Sequence, residues 1–291
     1  MILIDMNQVM ISNLMTQVSA DTPLEISLVR HMVLNSLRLY KKKFGNEYGE
    51  LVLCYDSKNY WRKQVFPFYK GTRKRDREKS NLNWANIFEI LNLLKDEISK
   101  NLPYCVMEVD GAEADDIISV LCKRQALLNI RLQKESKPSE KVLVLSGDKD
   151  FIQLQKYPFV SQYNPIQKKF MSGIDPKQYI LEHVIKGDRS DGIPNFLSDD
   201  DTFVKNKRQR PLSKKNIAKW ITMDPEYFCN EIQLKHYNRN KMLIDFTYIP
   251  MEIESKILDA YSESSVTPRN KLYIYFVENK LINLLEHIGD F

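Results

Sequence analysis

Cysteine and histidine are scarce in this chain, and neither is spaced for metal or redox work. The four cysteines, Cys54, Cys105, Cys122 and Cys229, show no C-x-x-C spacing and the four histidines are scattered. That argues against a zinc site or a disulfide framework and leaves buried thiols as the expectation. No stretch approaches the roughly 20 uninterrupted apolar residues of a membrane helix, and the N-terminus lacks the basic and apolar order of a signal peptide. Internal repeats and low-complexity tracts are absent as well. A soluble intracellular protein without membrane contact is expected. With 43% hydrophobic residues among 291, the chain has enough apolar side chains for one sizeable core and a smaller second lobe.

What recurs is acid where short apolar strands end. Ile2-Leu3-Ile4 runs into Asp5, Leu51–Tyr55 into Asp56, and Val142–Leu145 into Ser146-Gly147-Asp148-Lys149-Asp150. Residues 106–109 lead through Asp110-Gly111 to Ala112-Glu113-Ala114-Asp115-Asp116, which opens a helical pattern. In an open α/β sheet the carboxyl ends of parallel strands share one edge, so these acids, distant in sequence, are predicted to converge. Crowded carboxylates repel one another unless cations neutralise them, and oxygen-only ligands suit Mg²⁺ or Mn²⁺. The pattern points to a metal-dependent enzyme acting on phosphate esters. Gly187-Asp188-Arg189-Ser190-Asp191-Gly192-Ile193-Pro194 adds two acids in a glycine-bounded turn, placed to complete a second metal site.

The net charge is +5, and its distribution says more than its size. Lys58, Arg62, Lys63, Lys70, Arg73, Lys74, Arg75, Arg77 and Lys79 crowd the connection 57–83, interleaved with Tyr60, Trp61, Phe66, Phe68 and Tyr69. A connection that long inside a compact domain is functional or mobile. Aromatic faces beside cations suit the bases and phosphates of single-stranded ends. Lys205, Lys207, Arg208, Arg210, Lys214, Lys215 and Lys219 crowd a second segment. An acidic metal edge flanked by cations fits a polyanion gripped along its backbone.

Apolar runs alternate with helical patterns, which predicts βαβ units. Strands are expected near 2–5, 51–55, 104–109, 141–146 and 160–163, with helices at about 24–44, 84–100, 113–129 and 176–185. The fold class is α/β: a mostly parallel central sheet flanked by helices over 1–175, a basic arch at about 57–83, and a smaller helical lobe over 176–291. That lobe ends in an apolar stripe of Leu272, Tyr275, Phe276, Leu281 and Leu284.

Each motif has a plainer reading. Aspartate is common in turns and at helix N-caps, acids suit the first turn of a helix, and charged runs are often solvated loops. Asp-x-Asp after a strand also holds Mn²⁺ and a nucleotide diphosphate in glycosyltransferases, but that leaves Asp5, Glu113 and the basic connection unexplained. A binding-only protein with idle acids is the other alternative. Convergence of all the acids on one edge favours the catalytic reading.

The set Asp5, Asp56, Glu113-Ala114-Asp115-Asp116, Asp148-Lys149-Asp150 and Asp188 with Asp191, together with Tyr69-Lys70-Gly71-Thr72-Arg73, resembles the 5′-nuclease (flap endonuclease) superfamily. Similarity to its bacteriophage-type members extends through residues 27–31, 243–250 and 268–277, and so spans nearly the whole chain. The resemblance implies a PIN-like 5′-nuclease fold. It implies a 5′→3′ exonuclease and structure-specific flap endonuclease that removes RNA primers and adjacent DNA from lagging-strand fragments, in the cytoplasm of an infected bacterial host. Substrates would be DNA and RNA–DNA duplexes with a 5′ end or flap; the protein would be a monomer working with a sliding clamp and a single-strand-binding protein.

Two Mg²⁺ ions, replaceable by Mn²⁺, would drive the hydrolysis. By resemblance, Asp5, Asp56, Glu113 and Asp115 surround one, and Asp116, Asp148, Asp150, Asp188 and Asp191 surround the other, some through water. Lys70 and Arg73 match arch cations that steer the scissile phosphate. Arg62, Lys63, Tyr69, Lys74 and Arg75 would line the nucleic-acid path. Most of the superfamily continues after Pro194 with a glycine-rich hairpin, where this chain has Phe196-Leu197-Ser198-Asp199-Asp200-Asp201. A bound K⁺ there becomes doubtful, and the duplex grip passes to Lys205, Lys207, Arg208, Arg210, Lys214 and Lys215.

Overall fold

The computed structural model describes residues 1–15, 25–80 and 82–291. Strands β1 (Ile2–Asp5), β2 (Leu51–Tyr55), β3 (Cys105–Glu108), β4 (Val142–Leu145) and β5 (Val160–Asn164) pair in parallel in the order β3-β2-β1-β4-β5. β6 (Lys169–Met171) adds an antiparallel edge beside β5. The first helices are α1 (Met6–Met15), α2 (Ile26–Tyr48), α3 (Arg62–Val65), α4 (Arg73–Glu78), α5 (Trp84–Asn101) and α6 (Ala114–Lys134). They are followed by α7 (Pro176–Lys186), α8 (Lys214–Trp220), α9 (Glu231–Ile244), α10 (Met251–Glu263), α11 (Arg269–Glu278) and α12 (Ile282–Leu285).

β1, β2 and β4 are apolar almost throughout because both faces of the sheet are covered there. In β1, β2 and β4, Ile2, Ile4, Leu51, Leu53, Leu143 and Leu145 enter one apolar layer. Leu3, Val52, Cys54, Val142 and Val144, at the alternate positions, enter the other. α1, α2, α5, α11 and α12 cover the first layer; α6 and α10 cover the second. Residues 176–291, expected as one lobe, divide their packing. Leu272, Tyr275, Phe276, Leu281 and Leu284 join the first layer and Ile253 and Ile257 the second. Residues of α7–α9 form a third cluster with Phe66, Tyr69 and Phe196.

α1 and β6 are among the elements that the sequence reading does not place. α1 follows β1 without a break, its apolar Val9, Met10 and Leu14 diluted by Asn7, Gln8 and Asn13. β6 is a three-residue edge with exposed Lys169 and Phe170, too short for a period-2 signal. α2 runs on to Tyr48 because Phe44 and Tyr48 extend its buried stripe; its expected first residue, 24, lies outside the described residues, as does residue 81 of the arch. The thiols of Cys54, Cys105 and Cys122 are buried and all four cysteines are free. No helix among the described residues is long and apolar enough to cross a membrane.

Candidate active site

The carboxyl ends of β1, β2 and β4, the N-terminus of α6 and the turn after α7 meet at one edge of the sheet. Asp5 closes β1; its Oδ1 accepts from the Gln8 N–H at 3.1 Å and its Oδ2 from the Ser146 hydroxyl at 3.2 Å. Asp56 follows β2, and its Oδ1 accepts the Ala114 N–H at 2.8 Å, tying β2 to the start of α6. Asp148 lies open to solvent and caps the turn after β4 by accepting the Asp150 N–H at 3.0 Å. The Gln162 amide of β5 donates to the Ser146 carbonyl at 3.1 Å, which fixes that loop against the sheet.

Burial, with Asp56 and Asp148 close by, pushes the Asp5 carboxyl up to about 7. Burial and the charges of Asp148 and Asp5 push Asp115 well above the usual carboxylate range. Asp56 is raised by burial, with Lys70 offsetting part of it. Among the described residues, none of Asp5, Asp56, Asp115 and Asp148 has an ion-pair partner, because the cations nearby are paired with other acids. Oxygen donors carrying more negative charge than the protein neutralises fit a hard divalent cation.

Those other acids are Glu113, Asp116 and Asp191. Arg62 donates to Glu113 Oε2 at 2.8 Å, to Asp116 Oδ2 at 2.9 Å and to the Leu243 carbonyl at 2.8 Å, and its Nη2 lies 2.8 Å from Asp116 Oδ1 as an ion pair. Lys70 pairs with Glu113 and lies 3.9 Å from Asp191. Arg73 donates to Asp191 Oδ1 at 2.7 Å and the Tyr69 hydroxyl to Asp191 Oδ2 at 2.7 Å. Against a burial penalty, Lys70 and Arg62 hold the Glu113 carboxyl below its ordinary range. Burial likewise opposes charge on Lys70, yet Asp191 and Glu113 raise its pKa.

Three expectations are corrected here. Asp116 is 0% exposed, its Oδ2 accepts from Arg62, Trp61 Nε1 and the Glu113 N–H of a capping box, and its Oδ1 faces Arg62 Nη2 at 2.8 Å, so the structure places it as the ion-pair partner of Arg62 inside the protein and not on the open acid edge. Arg62 is 3% exposed and buttresses two acids from inside, out of reach of nucleic acid. Tyr69 is 3% exposed and bonds carboxylates, which leaves no open face for a base.

One functional candidate was missed. His183, on the last turn of α7, lies with Nε2 3.3 Å from Asp150 Oδ1 and 3.4 Å from Asp188 Oδ2, and the three side chains are grouped closely enough to hold a metal ion. Burial and the charge of Asp148 push Asp150 up to about 7. Burial disfavours charge on His183, but Asp188 and Asp150 outweigh it and raise its pKa. The Asp188 carboxyl is held well below its usual range despite burial, by His183 and by the Ser190 hydroxyl and N–H. The available signal was a histidine one helical turn before the Gly-Asp turn; in sequence it looked merely scattered.

The arch contains two short helices, α3 and α4. Between them Lys70 adopts φ +54°, with its N–H donated to the Asp191 carbonyl at 2.7 Å, so the arch is anchored on the turn that carries the acids. Lys63 and Lys74 are exposed and Arg75 half-buried. Lys205 and Lys207 are exposed but engaged by Asp201 at 2.7 and 2.9 Å; Arg208, Arg210, Lys214 and Lys215 are exposed. Between α4 and residues 203–211 a cavity of about 760 Å³ is lined by Arg75, Arg189, Lys207 and Arg208 among others.

Comparison with known proteins agrees with this layout. The family described as 5′-3′ exonuclease, N-terminal resolvase-like domain, matches residues 1–183, and that described as T4 RNase H, C terminal, matches residues 175–291. Ribonuclease H of Enterobacteria phage T4 is 34% identical, with 99% of this chain and 95% of that protein covered. The 5′-3′ exonuclease of Buchnera aphidicola subsp. Acyrthosiphon pisum is 29% identical over 53% of this chain and 50% of its own. Two solved structures share the fold at 15% identity. The D15 protein of bacteriophage T5, co-crystallized with metal ions, has a TM-score of 0.57 with 97% of this chain and 98% of that one covered. The D15 flap endonuclease in a pseudo-enzyme–product complex with DNA and metal ions has a TM-score of 0.60 with 90% and 99% covered. From its resolvase-like N-terminal part through its C-terminal helices, the chain belongs to the 5′-3′ exonuclease family, in the branch that includes the ribonuclease H of phage T4.

Proposed function

We propose that this chain is a divalent-metal-dependent 5′→3′ exonuclease and flap endonuclease that removes RNA primers and adjoining DNA from lagging-strand fragments. The observation that carries the reading is the sheet edge where Asp5, Asp56, Asp115 and Asp148 meet without ion-pair partners among the described residues, beside Lys70 and Arg73 of the arch. Family membership supplies the reaction class, and the relative crystallised with DNA and metal ions supports DNA as the substrate. Two Mg²⁺ ions, with Mn²⁺ able to replace them, are the proposed cofactors. Asp5, Asp56, Glu113 and Asp115 would hold one; Asp148, Asp150, Asp188 and Asp191 would hold the other.

Bound there, such ions supply an activated water and stabilise the leaving 3′-oxygen. The chain's own part is positioning and charge. Ser146 and the Gln8 and Ala114 N–H groups orient the Asp5 and Asp56 carboxylates. Lys70 and Arg73 rest on Glu113 and Asp191, and an incoming phosphate exchanges one anionic partner for another, placing their charge against the non-bridging oxygens. Arg62 keeps Glu113 ionised from within. Lys63, Lys74, Arg75 and the exposed cations of residues 205–215 would follow the nucleic-acid backbone, with Arg208, Arg210, Lys214 and Lys215 the least encumbered. A sliding clamp and a single-strand-binding protein are proposed partners, and the chain is proposed to act as a monomer.

The test uses a 5′-labelled flap and an RNA-primed nicked duplex with Mg²⁺, comparing wild type with Asp148→Asn. Short labelled 5′ products that vanish in the variant are the expected result. Metal-independent binding of both substrates without products would overturn the reading in favour of a binding protein.

A further inference from the structure

His183 Nε2 is fully buried and makes no well-directed hydrogen bond, although two carboxylates flank it at 3.3 and 3.4 Å. Donors held about 2.1 Å from a shared cation stand about 3–4 Å apart, so this spacing matches ligands around a common centre. The ring is also held in place. It stacks on Tyr179, with centroids 5.4 Å apart and an interplanar angle of 15°, and the Tyr179 hydroxyl bonds Asp150. The imidazole thus has a fixed plane and a buried nitrogen that faces two carboxylates.

We infer that His183 is a direct nitrogen ligand of the metal ion held between Asp150 and Asp188, and that it shifts this site's preference from Mg²⁺ towards first-row transition ions such as Mn²⁺. The inference rests on the metal-dependent reading above and adds to it a donor that the acids do not provide. Mg²⁺ demands oxygen ligands and gives up its waters reluctantly, whereas an imidazole nitrogen is a better partner for transition ions. The competing account is that His183 serves as an imidazolium counter-ion to Asp150 and Asp188 and leaves when a metal binds. The two differ in whether nitrogen stays on the ion.

Pulsed EPR on the full chain saturated with Mn²⁺, with calorimetric titrations of Mn²⁺ and Mg²⁺, separates them. Wild type is expected to show a ¹⁴N hyperfine coupling that is absent from His183→Gln. The variant should lose about 10-fold in Mn²⁺ affinity, the lower end of what a lost supporting group costs a metal site, while Mg²⁺ binding changes less. His183→Asn serves the same purpose if the glutamine variant does not fold. A missing nitrogen coupling in wild type, or a coupling that persists in a folded His183 variant, overturns the assignment. Flap cleavage in Mg²⁺ without nitrogen coupling sinks this inference alone; nitrogen coupling without any cleavage sinks the nuclease reading and leaves the ligand assignment standing.

Discussion

Arg62 and Lys70 both reach the carboxylate of Glu113, yet they should fail differently when removed. Arg62 is enclosed, with side chains of 1% and 0% exposure opposite it in Glu113 and Asp116. Arg62→Ala leaves two buried acids short of their partner, which costs about 3–5 kcal/mol where a buried pair is broken; urea unfolding in metal-free buffer is the check. The Lys70 side chain is also largely buried, at 8% exposure, but Glu113 keeps Arg62 and Tyr69 when Lys70 is gone. Lys70→Ala should therefore cost less stability and more chemistry. A single-turnover cleavage rate about 100 to 1000 times lower, the scale of losing one preorganised electrostatic donor, with the unfolding midpoint little changed, is the expected pattern. If Arg62→Ala instead spared stability and weakened DNA binding alone, the buttress role would be wrong.

At the scale of elements, what was legible is what periodicity and strand chemistry encode. The runs ending at Asp5, Asp56 and Ser146 were readable because a sheet buried on both faces needs unbroken apolar strands, and their parallel order then collected the acids. The division of labour among those acids was not readable. Asp115 and Asp116 are neighbours in sequence, but α6 turns Asp115 towards the acid cluster and Asp116 onto Arg62 and Trp61; only packing decides which is which. The aromatics of the arch looked like stacking surfaces, and for Tyr69 and Phe66 they are core. The turn after α7 was legible as glycine-bounded, and Gly187 shows why. Its φ is +65° and a Cβ there would stand 2.3 Å from the Ile193 carbonyl oxygen. Gly187→Ala should cost about 1–3 kcal/mol from backbone strain and shift Asp188 and Asp191. Weaker Mg²⁺ binding by calorimetry beside a lowered Tm would bear this out; an unchanged Mg²⁺ affinity would show that the turn does not set the site's geometry.

For the whole molecule, the acid edge makes folding depend on pH and on metal together. Asp5 and Asp150 carry pKa values raised from 3.8 to about 7, and Asp115 is raised well above the usual carboxylate range. The folded state therefore binds protons that the unfolded chain has released, and stability falls as pH rises from about 4 to about 7. His183 acts in the same direction, since a histidine raised above 6.5 contributes stability that is lost as pH climbs through its folded value. Asp188 and Glu113, whose pKa values are lowered, act oppositely, but their contribution is already complete above the ordinary carboxylate range. Metal-free protein should thus lose stability between pH 5 and 7.5, on the order of a few kcal/mol. Saturating Mg²⁺ should reverse most of that loss, because it binds the ionised folded site and not the unfolded chain. Thermal melts with EDTA and with Mg²⁺ across that range provide the check: the two curves should meet near pH 5 and diverge towards pH 7.5. Parallel curves would mean that the carboxylates are neutralised by the protein itself and that the edge is not a metal site.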